Sequence, residues 1–387
     1  MTRLAALGLL LLLLGAGCSA PAPAPAAPGC VPDAPPPPTG TVEFEQASNV
    51  EIIGADGYRV LTVRQPYPGG APQSVVLVGC GQPDPALPAD LAGAPVLRTP
   101  VTGIHAVSTT PLPFVTELDV LPTLTGVGGL DLISDPAVRA HVESGAAEEF
   151  APADMINAEQ VVAASPPVVL SGGTDDPAFA ALAAAGIPVV GWADFLESGP
   201  LGQAEWIKVM GALTGRDAEA AAAYDVVASR YDDLATRVRG SAPTPIVAGQ
   251  PYQGSWSVPS LGSTSGRLLA DAGASWSGQD AQGGAVPSSL EAVLAADGDA
   301  RIWLADGPWR TTADIAASDP RLTAFAAAGP GGQVWNRDKL RGPTGGNQLF
   351  ERGVAHPDEV LADLVSILHP ELLPGHETVY YRQVPAG

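Results

Sequence analysis

The stretch DAEAAAAYDVVASRYDDLATRV, residues 217–238, decides the architecture. Ala220, Tyr224, Val227, Tyr231, Leu234 and Val238 step by four and three. That spacing puts them on one face of an α-helix. At ~1.5 Å per residue the stripe makes a rod about 35 Å long. Asp217 stands where an N-cap is expected. Just upstream, Pro200 follows Ser198-Gly199 and opens a helix, and Trp206, Ile207, Met210 and Leu213 continue it at helical spacing until Gly215.

The pattern on either side of this rod is different. Before it, from about residue 96, short apolar runs alternate with helices. Val168–Leu170 is followed by Ser171-Gly-Gly-Thr, a helix over 177–185 and a strand over 187–190. After it come a strand at 245–248, helices at 263–272 and 289–296, strands at 302–305 and 334–335, and an amphipathic helix marked by Val360, Leu361, Leu364, Val365 and Leu368. Strand–helix alternation implies parallel sheets. The expected fold is therefore α/β: two Rossmann-like lobes joined by a single long helix. Residues 41–80 add β-like runs at 41–44, 50–53, 58–63 and 74–78 separated by turn residues, a small antiparallel meander at the N-terminus.

The amino end reads as a leader. Arg3 precedes the apolar run Leu4–Leu14, and Gly15-Ala16-Gly17 leads to Cys18. These are the parts of an export signal, and the run is short of the ~20 residues of a membrane span. Cys18 sits where bacterial lipoproteins carry their lipid, although Gly15 replaces the usual leucine. Residues 19–40 are rich in Pro and Ala and form a semi-rigid tether. The expected divisions are a signal over 1–17, lipidated Cys18 and tether over 18–40, a first lobe over 41–199, connecting helices over 200–240 and a second lobe over 241–387. Outside the cytoplasm the remaining two thiols, Cys30 and Cys80, are candidates for one disulfide, with separate thiols as the alternative.

Composition excludes some functions. The 387 residues carry a net charge of −22, which repels nucleic acid. His105, His141, His356, His369 and His376 form no closely spaced pair, so no bare-metal site and no resident cofactor are expected. GSTSG at 262–266 places Thr264 where a hydrolase elbow needs serine, and phosphate-loop and dinucleotide fingerprints are missing from the sequence. No enzyme activity is expected.

Four blocks then resemble a known family: IHAVSTTPLPFVTEL (104–118), AGIPVV (185–190), PLGQAEWIKVMGALTGRDAEA (200–220) and GGNQLFERGVAHPDEVLADLVSILHPEL (345–372). They are similar to the substrate-binding lipoproteins of ABC importers for iron–siderophore complexes and cobalamin. The resemblance spans roughly 42–384. It implies capture of a metal chelate or corrinoid-like ligand in a cleft between the lobes by a monomer. The ligand would pass to an ABC permease from the outer face of the membrane. A non-transport sensor lipoprotein is the alternative, and an extracytoplasmic hydrolase a more distant one.

Ligands of open α/β sheets bind beyond the carboxyl ends of the strands. This selects Ser108, Thr109, Thr110, the loop 172–174 and Trp192 in the first lobe. In the second it selects residues 250–256 with Tyr252 and Trp256, then Trp309 and Arg310, and the loop 337–347 with Arg341 and Asn347. Each has a plainer role available: core packing for the tryptophans, ion pairing for the arginines, a turn cap for Asn347. Trp206 and Trp303 read as core. The family's docking of an acidic residue on each lobe against permease arginines maps onto Asp176, which also suits a helix start. Ser275 holds the second position, where an acid would be needed.

Overall fold

The computed structural model describes Cys30 and residues 37–386. The expected signal, lipid attachment at Cys18 and most of the tether lie outside the described residues.

Two parallel sheets organise the molecule. In the first, the strand order is Glu148–Glu149, Leu124–Val127, Ile104–Ala106, Val168–Leu170 and Val189–Val190, all parallel. The second runs Ala274–Ser275, Thr244–Ala248, Ile302–Ala305 and Gln333–Asn336 in parallel, closed by antiparallel Arg382–Gln383. In both, the first strand in sequence lies inside the sheet and the chain winds outward on either side of it. The crevice of such a sheet opens at the carboxyl ends of the two strands where the winding reverses.

The helix Asp217–Val238 touches both cores. Ala220 and Tyr224 are buried with Leu213, Val101 and Leu97 in the first, whereas Tyr231 and Val238 are buried with Ile246, Leu361 and Leu368 in the second. Its stripe thus spends its two halves on different partners. The N-cap is Arg216, not Asp217. Asp217 is the first residue of the helix, and its carboxylate ion-pairs with the buried Arg59. The helix expected from Pro200 is divided into Pro200–Ala204 and Ile207–Thr214. Gly215, at φ 72°, ends the second piece in the left-handed conformation that glycine adopts without strain.

The N-terminal sheet contains Val50–Ala55, Tyr58–Val63 and Gln73–Gly79, joined antiparallel. Its fourth strand, Val96–Thr99, is parallel to the third, so the sheet is not a pure meander. The strand expected over 41–44 reduces to one bridge, Val42 to Ile52. The chain leaves the sheet edge there because two buried carboxylates take its backbone. Glu205 accepts the N–H groups of Glu45, Gln46 and Ala47, and Glu197 accepts those of Ser48 and Asn49. Cys30 and Cys80 form a disulfide, which pins the segment before the sheet to the end of its third strand. No helix among the described residues is long and apolar enough to cross a membrane.

Candidate functional site

The carboxyl ends of the two parallel sheets face one cleft of about 780 Å³. Clefts of roughly 300–1,000 Å³ suit small-molecule ligands. One wall follows the strands Ile104–Ala106 and Val189–Val190 and presents Thr110, Phe195 and Leu196. The other follows Thr244–Ala248 and Ile302–Ala305 and presents Gly249, Asp306 and the first turn of the helix Thr264–Asp271. Leu349, Val354, Pro357, Val360 and Leu364 line it from the C-terminal segment. The lining is mostly apolar.

Two phenylalanines stand out. Phe195 and Phe350 are 46% and 45% exposed, and both line the cleft. Flat apolar faces of this kind suit a planar or apolar ligand. Phe195 rests against Gly173, whose φ is 71° and where a Cβ would collide with the Phe195 ring. Phe350 lies under the guanidinium of Arg337, 4.9 Å from ring centre to carbon. Arg337 Nη2 also donates to Asp306 Oδ2 at 2.7 Å.

Behind the first wall lies Asp194, 1% exposed. Thr110 Oγ1 donates to it at 3.0 Å and Gln203 Nε2 at 2.9 Å. Burial, only partly offset by these donors, pushes its carboxyl up to about 6. Thr110 is in turn set by its own loop, where its backbone N–H donates to Ser108 Oγ at 3.2 Å.

A second set of contacts ties the two walls together beside the cleft. Glu351 accepts from Ser134 N at 2.6 Å, Ser134 Oγ at 2.7 Å and Asp135 N at 3.0 Å. Burial raises its pKa above the usual carboxylate range. Five residues on, His356 Nε2 lies 2.7 Å from Glu117 Oε1. Between them Val354 and Ala355 are buried in the first core, while the following helix Pro357–Leu368 packs in the second.

Of the residues selected from the sequence, Thr110 lines the cleft, with Ser108 bonded behind it. Thr109 belongs to the same turn, its carbonyl accepting from Leu112 N. The tryptophan expectations are corrected. Trp192 packs between Phe114 and Trp206 in the first core. Trp256 and Trp309 flank Trp303, an aromatic cluster inside the second lobe. Their indoles find internal acceptors: Trp256 Nε1 donates to Ala248 O at 2.8 Å and Trp309 Nε1 to Ser318 Oγ at 3.1 Å. The supposed loop around Trp256 is a three-stranded antiparallel sheet, Pro251–Tyr252, Ser255–Val258 and Val286–Ser288, which buries one face.

Tyr252, on the edge of that sheet, is 71% exposed and outside the cleft lining. Arg310 is also outside it, its backbone N–H held by Asp314. Asn347 is buried as a turn cap, accepting from Leu349 N and donating to Arg337 O. Arg341 stands near the cleft without lining it, 3.8 Å from Asp306 Oδ1. Asp176 Oδ1 accepts from Ala178 N at the start of a helix, and Ser275 lies in an edge strand.

Phe195, Phe350, Asp306, Asp194 and Glu351 were not singled out in the sequence. Asp306 had a signal, since it directly follows the apolar strand Ile302–Ala305. Arg337 was reached only as the end of a candidate loop. Phe350 had none, because a phenylalanine beside Leu349 reads as core. Among the described residues, no group of three or more His, Cys, Asp or Glu side chains is placed to hold a metal ion.

Known structures share this arrangement. A periplasmic heme binding protein from Pseudomonas aeruginosa is 21% identical, covers 73% of this chain and 98% of its own, and superposes with a TM-score of 0.53. A possible iron-binding periplasmic solute-binding protein from Staphylococcus epidermidis is 16% identical, covers 69% and 98%, and gives 0.52. A periplasmic binding protein from Veillonella parvula is 12% identical, covers 78% and 95%, and gives 0.55. At such identities the likeness shows the fold. Among curated proteins, an uncharacterized lipoprotein of Methanocaldococcus jannaschii is 23% identical over 229 residues, 58% of this chain. The chain spans about half of that relative's length, 53%. The family described as periplasmic binding protein, a family of binders rather than catalysts, matches residues 105–328, more than half of the chain. By that match, the chain belongs to the periplasmic binding protein family.

Proposed function

We propose that this protein captures a chelated metal or corrinoid-like small molecule outside the cytoplasm and delivers it, chemically unaltered, to an ABC import permease. The observation that carries this is the apolar cleft of about 780 Å³ where the carboxyl ends of both parallel sheets meet. Phe195 and Phe350 offer aromatic faces there, and Arg337 offers one guanidinium. The iron-binding and heme-binding proteins of similar structure support a metal complex as cargo. In this reading residues 41–199 and 241–387 act as the two lobes. Cys18 carries the lipid that keeps the protein beside its permease; the lipoprotein relative supports this. Asp176 is the first-lobe candidate for permease docking.

The test is direct binding with the full chain purified in detergent. Trp256 bonds to Ala248 O, and Ala248 lines the cleft. A coloured chelate seated there should therefore quench tryptophan emission. Saturable quenching by ferric chelates or a corrinoid, abolished in Phe195→Ala/Phe350→Ala, is the expected result. Failure of every such probe to bind would overturn the proposal. Binding with unchanged chelate uptake after deletion of the gene would replace transport with sensing.

A further inference from the structure

We infer that the cleft of this protein selects a ligand of low net charge, neutral or monocationic, and rejects polyanionic chelates. The inference rests on the cleft being the ligand site, as proposed above.

Among the charged side chains, Glu197, Asp306 and Arg337 line the cleft. Arg337, the lining cation, is already engaged: its Nη2 donates to Asp306 Oδ2 at 2.7 Å. Arg341 approaches the same carboxylate at 3.8 Å from outside the lining. These three side chains together leave one positive charge on the second-lobe wall. The opposite wall carries two carboxyls. Glu197 is buried and takes donors from Ser48, Asn49 and Trp206, all of them internal to the protein. Asp194 stands one hydrogen bond behind Thr110 and Gln203, both of which line the cleft. With both carboxyls ionised, the site as a whole has a small negative balance, inside a chain of net charge −22.

A polyanion entering this site would meet one guanidinium whose charge is largely cancelled. It would also shed its hydration against apolar walls, which costs most for the most highly charged species. A ligand with a single anionic group could still place it against Arg337 without leaving further charge unpaired. The same cleft receives a neutral complex without leaving any charge unpaired, and a monocationic one meets a site whose overall balance is slightly negative. Between a monocation and a trianion, four unit charges interact differently with a site of this sign. At the screened distances of a cleft this corresponds to about 100-fold in affinity.

The experiment titrates the full chain in detergent with four probes: a linear ferric trihydroxamate bearing one ammonium group, its N-acetylated neutral form, a ferric tris-catecholate trianion, and haemin with its two propionates. Tryptophan quenching reads the affinity at low and high salt. The two hydroxamate complexes should bind within about 5-fold of each other and about 100-fold more tightly than the trianion, with the gap narrowing as salt rises. Asp306→Asn, which releases Arg337 from its partner, should tighten the trianion by about 10-fold relative to the neutral complex. The wild-type comparison decides the matter even where that variant does not fold. Equal or tighter binding of the trianion would overturn the charge inference and leave the proposed function standing. Silence from all four probes and from a corrinoid would overturn both.

Discussion

Asp194 shows what a single buried group can do. Its carboxyl stands at about 6 in the folded protein against 3.8 ordinarily, because burial disfavours the charge more than Thr110 and Gln203 restore it. The folded state therefore holds its proton to higher pH than the unfolded chain does. Stability from this group is fully present below about pH 4 and is lost as pH rises through 6. The amount is on the order of 2–3 kcal/mol. Asp194→Asn, which stays neutral, should flatten that part of the pH profile; urea unfolding between pH 4 and 7 measures it. An unchanged slope would mean that Asp194 is ionised throughout. The partners that hold it down, against the burial that raises it, are Thr110 and Gln203, 84 and 9 residues away. Nothing in the local sequence around Asp194 announces a buried acid.

The elements obeyed local rules except where distant side chains intervened. The long helix kept its stripe, and Gly215 stopped the helix before it. The strand expected at 41–44 lost its extension to Glu205 and Glu197, acids 149–160 residues away. Close packing of the two helices that meet at Gly215 gives a sharp prediction. A Cβ at Gly211 would come within 2.6 Å of Ala220 Cβ and 2.9 Å of the Arg216 carbonyl oxygen. Gly211→Ala should therefore destabilise by about 1–3 kcal/mol, despite alanine's better helix propensity. Thermal unfolding checks it, and a gain in stability would show that the helices can shift apart. The disulfide is a second such constraint. Cys30 and Cys80 close a loop across 50 positions, so Cys30→Ser/Cys80→Ser should cost about 2–4 kcal/mol, read from the denaturant midpoint.

At the scale of the whole molecule, the two cores are linked twice. The helix Asp217–Val238 contributes to both, and so does the segment around Glu351, with Val354 and Ala355 in one core and Leu361 and Leu364 in the other. Two separated links resist rotation about either. Ligand binding should therefore change the radius of gyration by less than about 1 Å. Glu351→Ala leaves Ser134 N, Ser134 Oγ and Asp135 N without their acceptor. Stability should fall by about 2–4 kcal/mol. The ligand-dependent change in scattering should also grow. A large change already in the wild type would show that the second link opens.

The sequence by itself determined the elements, their α/β alternation and the family, because helix stripes, strand runs and turn residues act over a few positions. It also pointed to the carboxyl ends of the strands, the ends at which the structure opens its cleft. Which side chains reach that crevice was decided by tertiary structure. Trp192, Trp256 and Trp309 went into the cores because each large ring found a cluster to bury against. Phe195 and Phe350 were left in the cleft between the walls. Burial is a property of what packs opposite, and for Glu351 the opposite partner is 217 residues away.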